Sequence, residues 1–253
     1  MNNLPFGMAN YRQFQNNFLA KVIVGMVFHP VNNIESHTDQ WNSFVSELFS
    51  IPPQDGIFQR PIAINRSDNK LGFVFDKDRA MVLISDDSYQ NFADSVIPHA
   101  YKLKRFVTEV AEQSQINQLE IRKIDLFQIE AEEGNALEET EVRKHFFSES
   151  YLSHTEDAVQ PQDEELKFPG IMKHQWNDGE HLLTIRSVFV KLPNPGNKYR
   201  LILDTEEQYN PPKSSIDLNR LDKELKEMNK DLFNAFMWCV SDRVTSIMEK
   251  GKE

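Results

Sequence analysis

The chain has 253 residues, 40% of them hydrophobic and 26% charged, a balance that is typical of a globular protein and excludes extended disorder. Nine glycines and the lack of a glycine-rich loop motif argue against a nucleotide cradle of the Walker or Rossmann type. The single cysteine, Cys239, excludes an intramolecular disulfide and fits a reducing compartment.

The net charge of −11 is concentrated in one stretch of the sequence. Twelve acidic residues lie between Glu130 and Glu165, and only Arg143 and Lys144 oppose them, so this stretch carries all but one of the net negative charges. So much negative charge argues against a polyanionic partner nearby. It divides the chain into an α+β lobe (1–130), an acidic connector (131–167) and a lobe with a β-meander and a long helix (168–253).

The first lobe predicts the element order β-α-β-β-α-β. Short runs of β-branched and aromatic residues predict its strands, and apolar residues at three-to-four spacing predict its helices. The order matches the ferredoxin-like, split βαβ arrangement. We expect strands at 22–28, 71–75, 80–84 and 119–129, one helix between Ser36 and Pro52, and a second from Asp87 or Ser88 to about Gln113 with a kink at Pro98.

The last lobe predicts three consecutive strands followed by a helix. Asp178-Gly179 is a strong hairpin signal between strands at 171–176 and 181–191, and a third strand follows at 198–205. An apolar stripe then predicts one long helix from Asp217 to about Met248. The overall prediction is an α+β fold with long helices and either two antiparallel sheets or one continuous sheet.

The predicted hairpin supplies candidate metal ligands. If Asp178 begins a two-residue turn, Trp176 lies opposite His181, and His174 lies diagonally across the same face within reach of a shared ion. We predict His174, His181 and Asp178 as metal ligands, since zinc needs at least a third ligand beside the two histidines. The alternative is two surface histidines with Trp176 packed between them.

Other chemistry-bearing residues have mainly structural interpretations. His145 and His154 lie in or beside the acidic connector, and their spacing does not require a metal. Glu120 and Arg122 share one face of a strand, as in metal-dependent nucleases, but no acidic residue on a neighbouring strand completes that pattern. Cys239 lies in an apolar helical run, where a buried, inert thiol is expected.

Two groups of residues are candidates for interactions. Lys102, Lys104 and Arg105 share one helical turn and can contact either nucleic-acid phosphate or the chain's own acidic connector, of which we favour the connector. Phe146, Phe147 and Tyr151 lie among the acidic residues. They either dock on the basic groove of a partner or belong to a solvated linker.

Three segments of the chain share their pattern with a protein family. They are the apolar strand 201–206 that ends in acidic residues, the helical spacing from Leu225 to Phe236 followed by Val240-Ser241, and the strand 121–129. Together they resemble a sporadically distributed family of bacterial proteins of about this length, over most of the chain from Lys21 onward. Phe127 and Gln128 depart from the family's arginine and aromatic positions, and Asn229 replaces a histidine. The resemblance implies an α+β fold and brings no assigned activity.

These observations predict a non-catalytic cytoplasmic interaction or regulatory protein with a protein partner or a second copy, and without a cofactor. The alternative is a metal-dependent hydrolase with its site on the 171–191 hairpin. We expect no membrane segment, because the most apolar run, 18–28, is interrupted by Lys21 and is far shorter than the roughly 20 residues that a spanning helix needs. We also expect no signal peptide, because no small-residue cleavage site follows that run.

Overall fold

Eight strands form one antiparallel sheet in the computed structural model. Residues 4, 6–7, 14, 18–31, 34–49, 62–65, 70–85, 89–110, 116–130, 139–158, 171–191, 198–211 and 216–250 are described. The strands are β1 (Leu19–Phe28), β2 (Ile62–Asn65), β3 (Leu71–Asp76), β4 (Arg79–Ser85), β5 (Ile116–Glu130), β6 (Ile171–Asn177), β7 (His181–Lys191) and β8 (Lys198–Tyr209). Their order across the sheet is β2-β3-β4-β1-β5-β8-β7-β6.

Seven described α-helices accompany the sheet. They are α1 (Thr38–Phe49), α2 (Phe92–Ser95), α3 (Ile97–Val110), α4 (Glu139–Phe146), α5 (Glu149–Ala158), α6 (Leu221–Cys239) and α7 (Asp242–Lys250). Phe44 of α1 and Phe106 of α3 pack on Phe73, while Phe146 of α4 and Phe236 of α6 pack on Phe127. The core therefore lies between one face of the sheet and the helices.

The predicted α+β class with an antiparallel sheet is confirmed, whereas the ferredoxin-like arrangement is matched only in part. Strand β1 lies between β4 and β5, as a split βαβ unit requires. However, β2 adds a strand between α1 and β3, and the sheet continues past β5 into the second half of the chain.

The two halves of the chain share the sheet through β5 and β8. These strands pair from Leu119 opposite Tyr209 to Glu130 opposite Lys198. Strands β8, β7 and β6 then form the predicted antiparallel meander. Of the two arrangements that the sequence allowed, the structure has the continuous sheet.

Each predicted long helix is interrupted. Val96 separates α2 from α3 just before Pro98, and Asn91 caps α2 by accepting a hydrogen bond from the Asp94 amide. Val240 separates α6 from α7, because its extended backbone forms a β-bridge with Phe147. The single helix predicted from Asp217 to Met248 is therefore wrong: a contact distant in sequence breaks it.

The 171–191 hairpin has a different register from the one predicted. Asn177 pairs with Leu182 and Trp176 with Leu183, so the pairing is shifted by two residues from the predicted pairing of Asn177 with Glu180. Asp178 Oδ1 accepts hydrogen bonds from the amides of Glu180 and His181, and these bonds stabilise the turn. His181 therefore lies opposite Tyr209 of β8 and not opposite Trp176.

Candidate functional site

The sheet face opposite the helices is the most distinctive surface of the described structure. Side chains alternate between the two faces of a strand, so the even-numbered residues of β5, β7 and β8 and the odd-numbered residues of β1 and β4 point to this face. None of the described helices packs on it. We call it the open face.

Charged side chains cross the centre of the open face in ordered pairs. Arg122 donates two hydrogen bonds of 2.7 Å, from Nε and Nη2, to the two carboxylate oxygens of Asp204. Arg186 donates to the same carboxylate at 3.2 Å and to Glu206 at 2.6 Å. Gln208 donates a further bond of 2.7 Å to Glu206. Asp204 thus holds Arg122 in bidentate geometry, and Arg186 bridges Asp204 and Glu206.

A second set of charged and polar pairs on the open face reaches β4. Arg79 Nη2 lies 3.3 Å from Glu120 Oε1, and Gln118 donates to the same oxygen at 2.7 Å. Gly25 makes room for this contact, because a Cβ at that position would lie 3.1 Å from Glu120 Oε2 and from Met81 Cγ. We call the six charged residues the arginine ladder: Arg79, Glu120, Arg122, Arg186, Asp204 and Glu206.

The arginines of the ladder cover its carboxylates. The Arg122 side chain is 42% exposed, whereas that of Asp204 is 8% exposed. The hydrogen bond to Asp204 raises the pKa of Arg122 above its ordinary value. Burial pushes the pKa of Glu206 upward, but hydrogen bonds from Gln208 and Arg186 outweigh burial and leave that pKa lowered. The surface therefore presents planar guanidinium groups whose charges are already compensated.

Apolar side chains surround the ladder on the open face. They are half-buried, in contrast to the fully buried residues on the helix side of the same strands. The group consists of Ile23, Val27, Met81, Leu83, Ile124, Leu126, Val188 and Ile202. Half-buried apolar side chains therefore border the charged row on the open face.

A buried polar cluster lies on the other face of β5, beneath α6. Lys123 Nζ donates a 2.6 Å hydrogen bond to Asn229 Oδ1, and its ammonium group lies 5.9 Å from the centre of the Phe92 ring. Burial lowers the pKa of Lys123 and raises the pKa of the neighbouring Asp125. Cys239 is buried as predicted, and burial followed by the charge of Asp125 raises the pKa of its thiol. These groups join the sheet to α6.

A carboxylate–histidine pair lies on the same face, at the β7–β8 seam. His181 Nδ1 is 2.7 Å from Oε1 of the fully buried Glu207, and the His181 ring stacks on Tyr209. Burial raises the pKa of Glu207 to about 7. Burial alone would lower the pKa of His181, but its hydrogen bond to Glu207 outweighs burial and raises it.

The structure does not bring the three predicted metal ligands together. His181 bonds Glu207, Asp178 accepts backbone hydrogen bonds in the turn, and His174 is buried among aromatic rings. Within the described part of the chain, no three histidine, cysteine, aspartate or glutamate side chains meet as a metal site of that kind requires. The cause is the two-residue shift in the register of the hairpin, which places Leu183 and not His181 opposite Trp176.

The predicted aromatic anchors of the connector are core residues in this structure. Phe146 packs on Phe127, Phe147 packs on Tyr151, and all three predicted aromatic residues are buried. The Tyr151 hydroxyl bonds Ser187 at 3.0 Å. They fix the connector helices to the sheet, so a partner cannot reach them without opening the core.

The predicted cationic turn of α3 has local partners. Arg105 forms ion pairs with Glu47 of α1 and with Glu109 one turn further along α3. Lys104 lies 5.7 Å from the centre of the Tyr101 ring, and Lys102 is half-buried near His99. The described partners of Arg105 thus lie on α1 and α3, and the pairing of this turn with the acidic connector, of which 131–138 and 159–170 lie outside the described residues, stays a prediction.

Sequence reasoning missed the arginine ladder. Glu120 and Arg122 were recognised as residues of one strand face, but the ladder needs Asp204, which is 82 positions away from Arg122. The available signal was the alternation of charged and apolar residues along β5 and β8. It predicts a half-exposed face without revealing which strands are neighbours.

No protein-family profile and no curated protein sequence matches this chain. Among the described helices, none combines the length and the apolar character that a membrane span requires.

Proposed function

We propose that this chain is a non-catalytic cytoplasmic interaction or regulatory protein that works as a homodimer, with two copies packed open face to open face. The arginine ladder carries this proposal. Its arginines are held in place by buried carboxylates, so docking needs little side-chain ordering.

The charge pattern supports a second copy as the occupant. Each arginine of the ladder already has a carboxylate partner in its own chain, so the ladder itself would bring no unpaired charge into such an interface. The apolar residues around the ladder then supply the hydrophobic contribution, and guanidinium planes can stack across the interface.

Sedimentation equilibrium tests the proposal. The expected mass of the wild type is twice the 29.5 kDa of one chain. The double variant Leu83→Lys and Ile202→Lys places two charges on the open face and is expected to be monomeric. Ile247→Lys is the matched control, since Ile247 is 45% exposed on α7, and it should stay dimeric. A monomeric wild type at micromolar concentration, or dimeric open-face variants with native circular dichroism, contradicts the proposal.

A further inference from the structure

An aromatic and histidine cluster lies where α5 and α6 meet the edge strand β6. His174 and Trp176 point to the helix side of β6, and Tyr151 and His154 of α5 lie against them. Trp238 of α6 completes the group, with its ring centre 5.6 Å from His154 and 5.7 Å from Trp176. Two histidines from separate elements thus meet beside two tryptophans.

The spacing of the two imidazoles suits a shared metal ion. Their ring centroids are 5.5 Å apart with an interplanar angle of 52°. Imidazoles bind transition metals through one nitrogen at about 2.0–2.1 Å, so two rings that share an ion have centroids roughly 5–6 Å apart. The observed distance falls in that range.

His174 also has an unexplained nitrogen. The residue is 7% exposed, and its Nε2 is a buried atom without a hydrogen-bond partner among the described residues. A buried polar atom of this kind calls for a water, an ion or a functional role. Burial, followed by the proximity of His154, lowers the pKa of His174, so this ring is in the neutral form that metals bind.

We propose that His154 and His174 together bind one divalent transition-metal ion of the nickel, copper and zinc class. Imidazole is a favoured ligand for these metals. Among the described residues, no group of three histidine, cysteine or carboxylate side chains forms a metal site there. The site shares only His174 with the predicted trio. It lies on the helix side of the sheet and is independent of the proposed dimer.

Copper titration followed by tryptophan fluorescence tests the site. Cu²⁺ binds nitrogen ligands most tightly among the divalent ions of this series. Trp176 and Trp238 lie within 6.1 Å of the His154 ring, so bound Cu²⁺ should quench their emission. For untagged wild type we expect saturable quenching at one equivalent.

Matched variants decide the outcome. His154→Gln removes an exposed ring, so the fold is retained, and copper affinity should fall at least ten-fold. His29→Gln removes another exposed imidazole, at the end of β1, and should leave the titration unchanged. Equal quenching in wild type and His154→Gln overturns the proposal, as does the absence of saturable quenching in the wild type.

Zinc gives a second readout that does not depend on fluorescence. A metal that binds only the folded chain raises its melting temperature. Excess Zn²⁺ should therefore raise the melting temperature of wild type and His29→Gln but not that of His154→Gln. A shift of the same size in all three proteins assigns zinc to another site and overturns the proposal.

Discussion

Ser148, between α4 and α5, and Ser241, between α6 and α7, bind each other's helix pair through reciprocal hydrogen bonds. Ser148 Oγ donates a 2.5 Å hydrogen bond to the Trp238 carbonyl near the end of α6, and Ser241 Oγ donates one of 2.5 Å to the His145 carbonyl near the end of α4. Their amides donate reciprocally to the carbonyls of Cys239 and Phe146. Each hydroxyl also accepts from the first turn of the following helix. Two helix breaks are thus locked together by one reciprocal arrangement.

Removing either hydroxyl should destabilise the protein. Ser148→Ala and Ser241→Ala are each expected to lower the free energy of unfolding by about 1–2 kcal/mol, because each loses a helix cap and a bond to a carbonyl. Urea denaturation measures the change. Ser153→Ala, which loses only an exposed bond to the Ser150 carbonyl, should have little effect. Equal stability of all three variants contradicts the reciprocal role.

The carboxylate of Asp204 should contribute to stability. Asp204→Asn removes the charge that Arg122 and Arg186 share, and we expect a loss of about 1–3 kcal/mol in the free energy of unfolding. The control is Glu227→Gln, which breaks only an exposed pair with Lys223 and should cost less than about 0.5 kcal/mol. Similar losses in both variants, measured in urea, argue against an ordered ladder.

Glu207 should make stability fall as pH rises. Its pKa is raised from 4.5 to about 7 in the folded protein, so the folded state holds the proton more tightly than the unfolded state. The resulting stabilisation is full below the unfolded pKa and is lost as pH rises through the folded pKa. The loss is on the order of 3 kcal/mol.

Glu207→Gln should flatten the pH dependence of stability between the unfolded pKa of Glu207, 4.5, and its folded pKa, about 7, because an amide does not titrate. Asp125, whose pKa burial also raises, contributes a slope of the same sign that stays in the variant. Urea unfolding at a series of pH values measures the slope of the unfolding free energy against pH in the wild type and in Glu207→Gln. An unchanged slope in Glu207→Gln assigns the pH dependence to other groups.

Gly179 should resist substitution for a backbone reason. Its φ of 96° lies in the left-handed region, while a Cβ there would meet no atom within 4 Å. Gly179→Ala should therefore cost about 1 kcal/mol through backbone strain alone. Lys173→Ala, at an exposed position of β6, is the control. Thermal unfolding with equal melting temperatures for the two variants contradicts the strained turn.

Local patterns predicted most of the strands and the amphipathic helices. The run before Phe28 and the strand that contains Ile121 follow from β-branched and alternating residues, and Asp178-Gly179 marks the hairpin. The predicted register of that hairpin was wrong by two residues, because Asn177 pairs with Leu182 and not with Glu180. Local spacing does not contain that choice.

The sequence by itself determined the α+β class, the meander and the concentration of acidic residues in one connector. The tertiary structure decided the pairing of β5 with β8, the break at Val240 and the meeting of His154 with His174. The physical reason is the separation along the chain of the residues that make each contact. Periodicity sets which face of an element is apolar, whereas the partner of that face depends on contacts between residues that are distant along the chain.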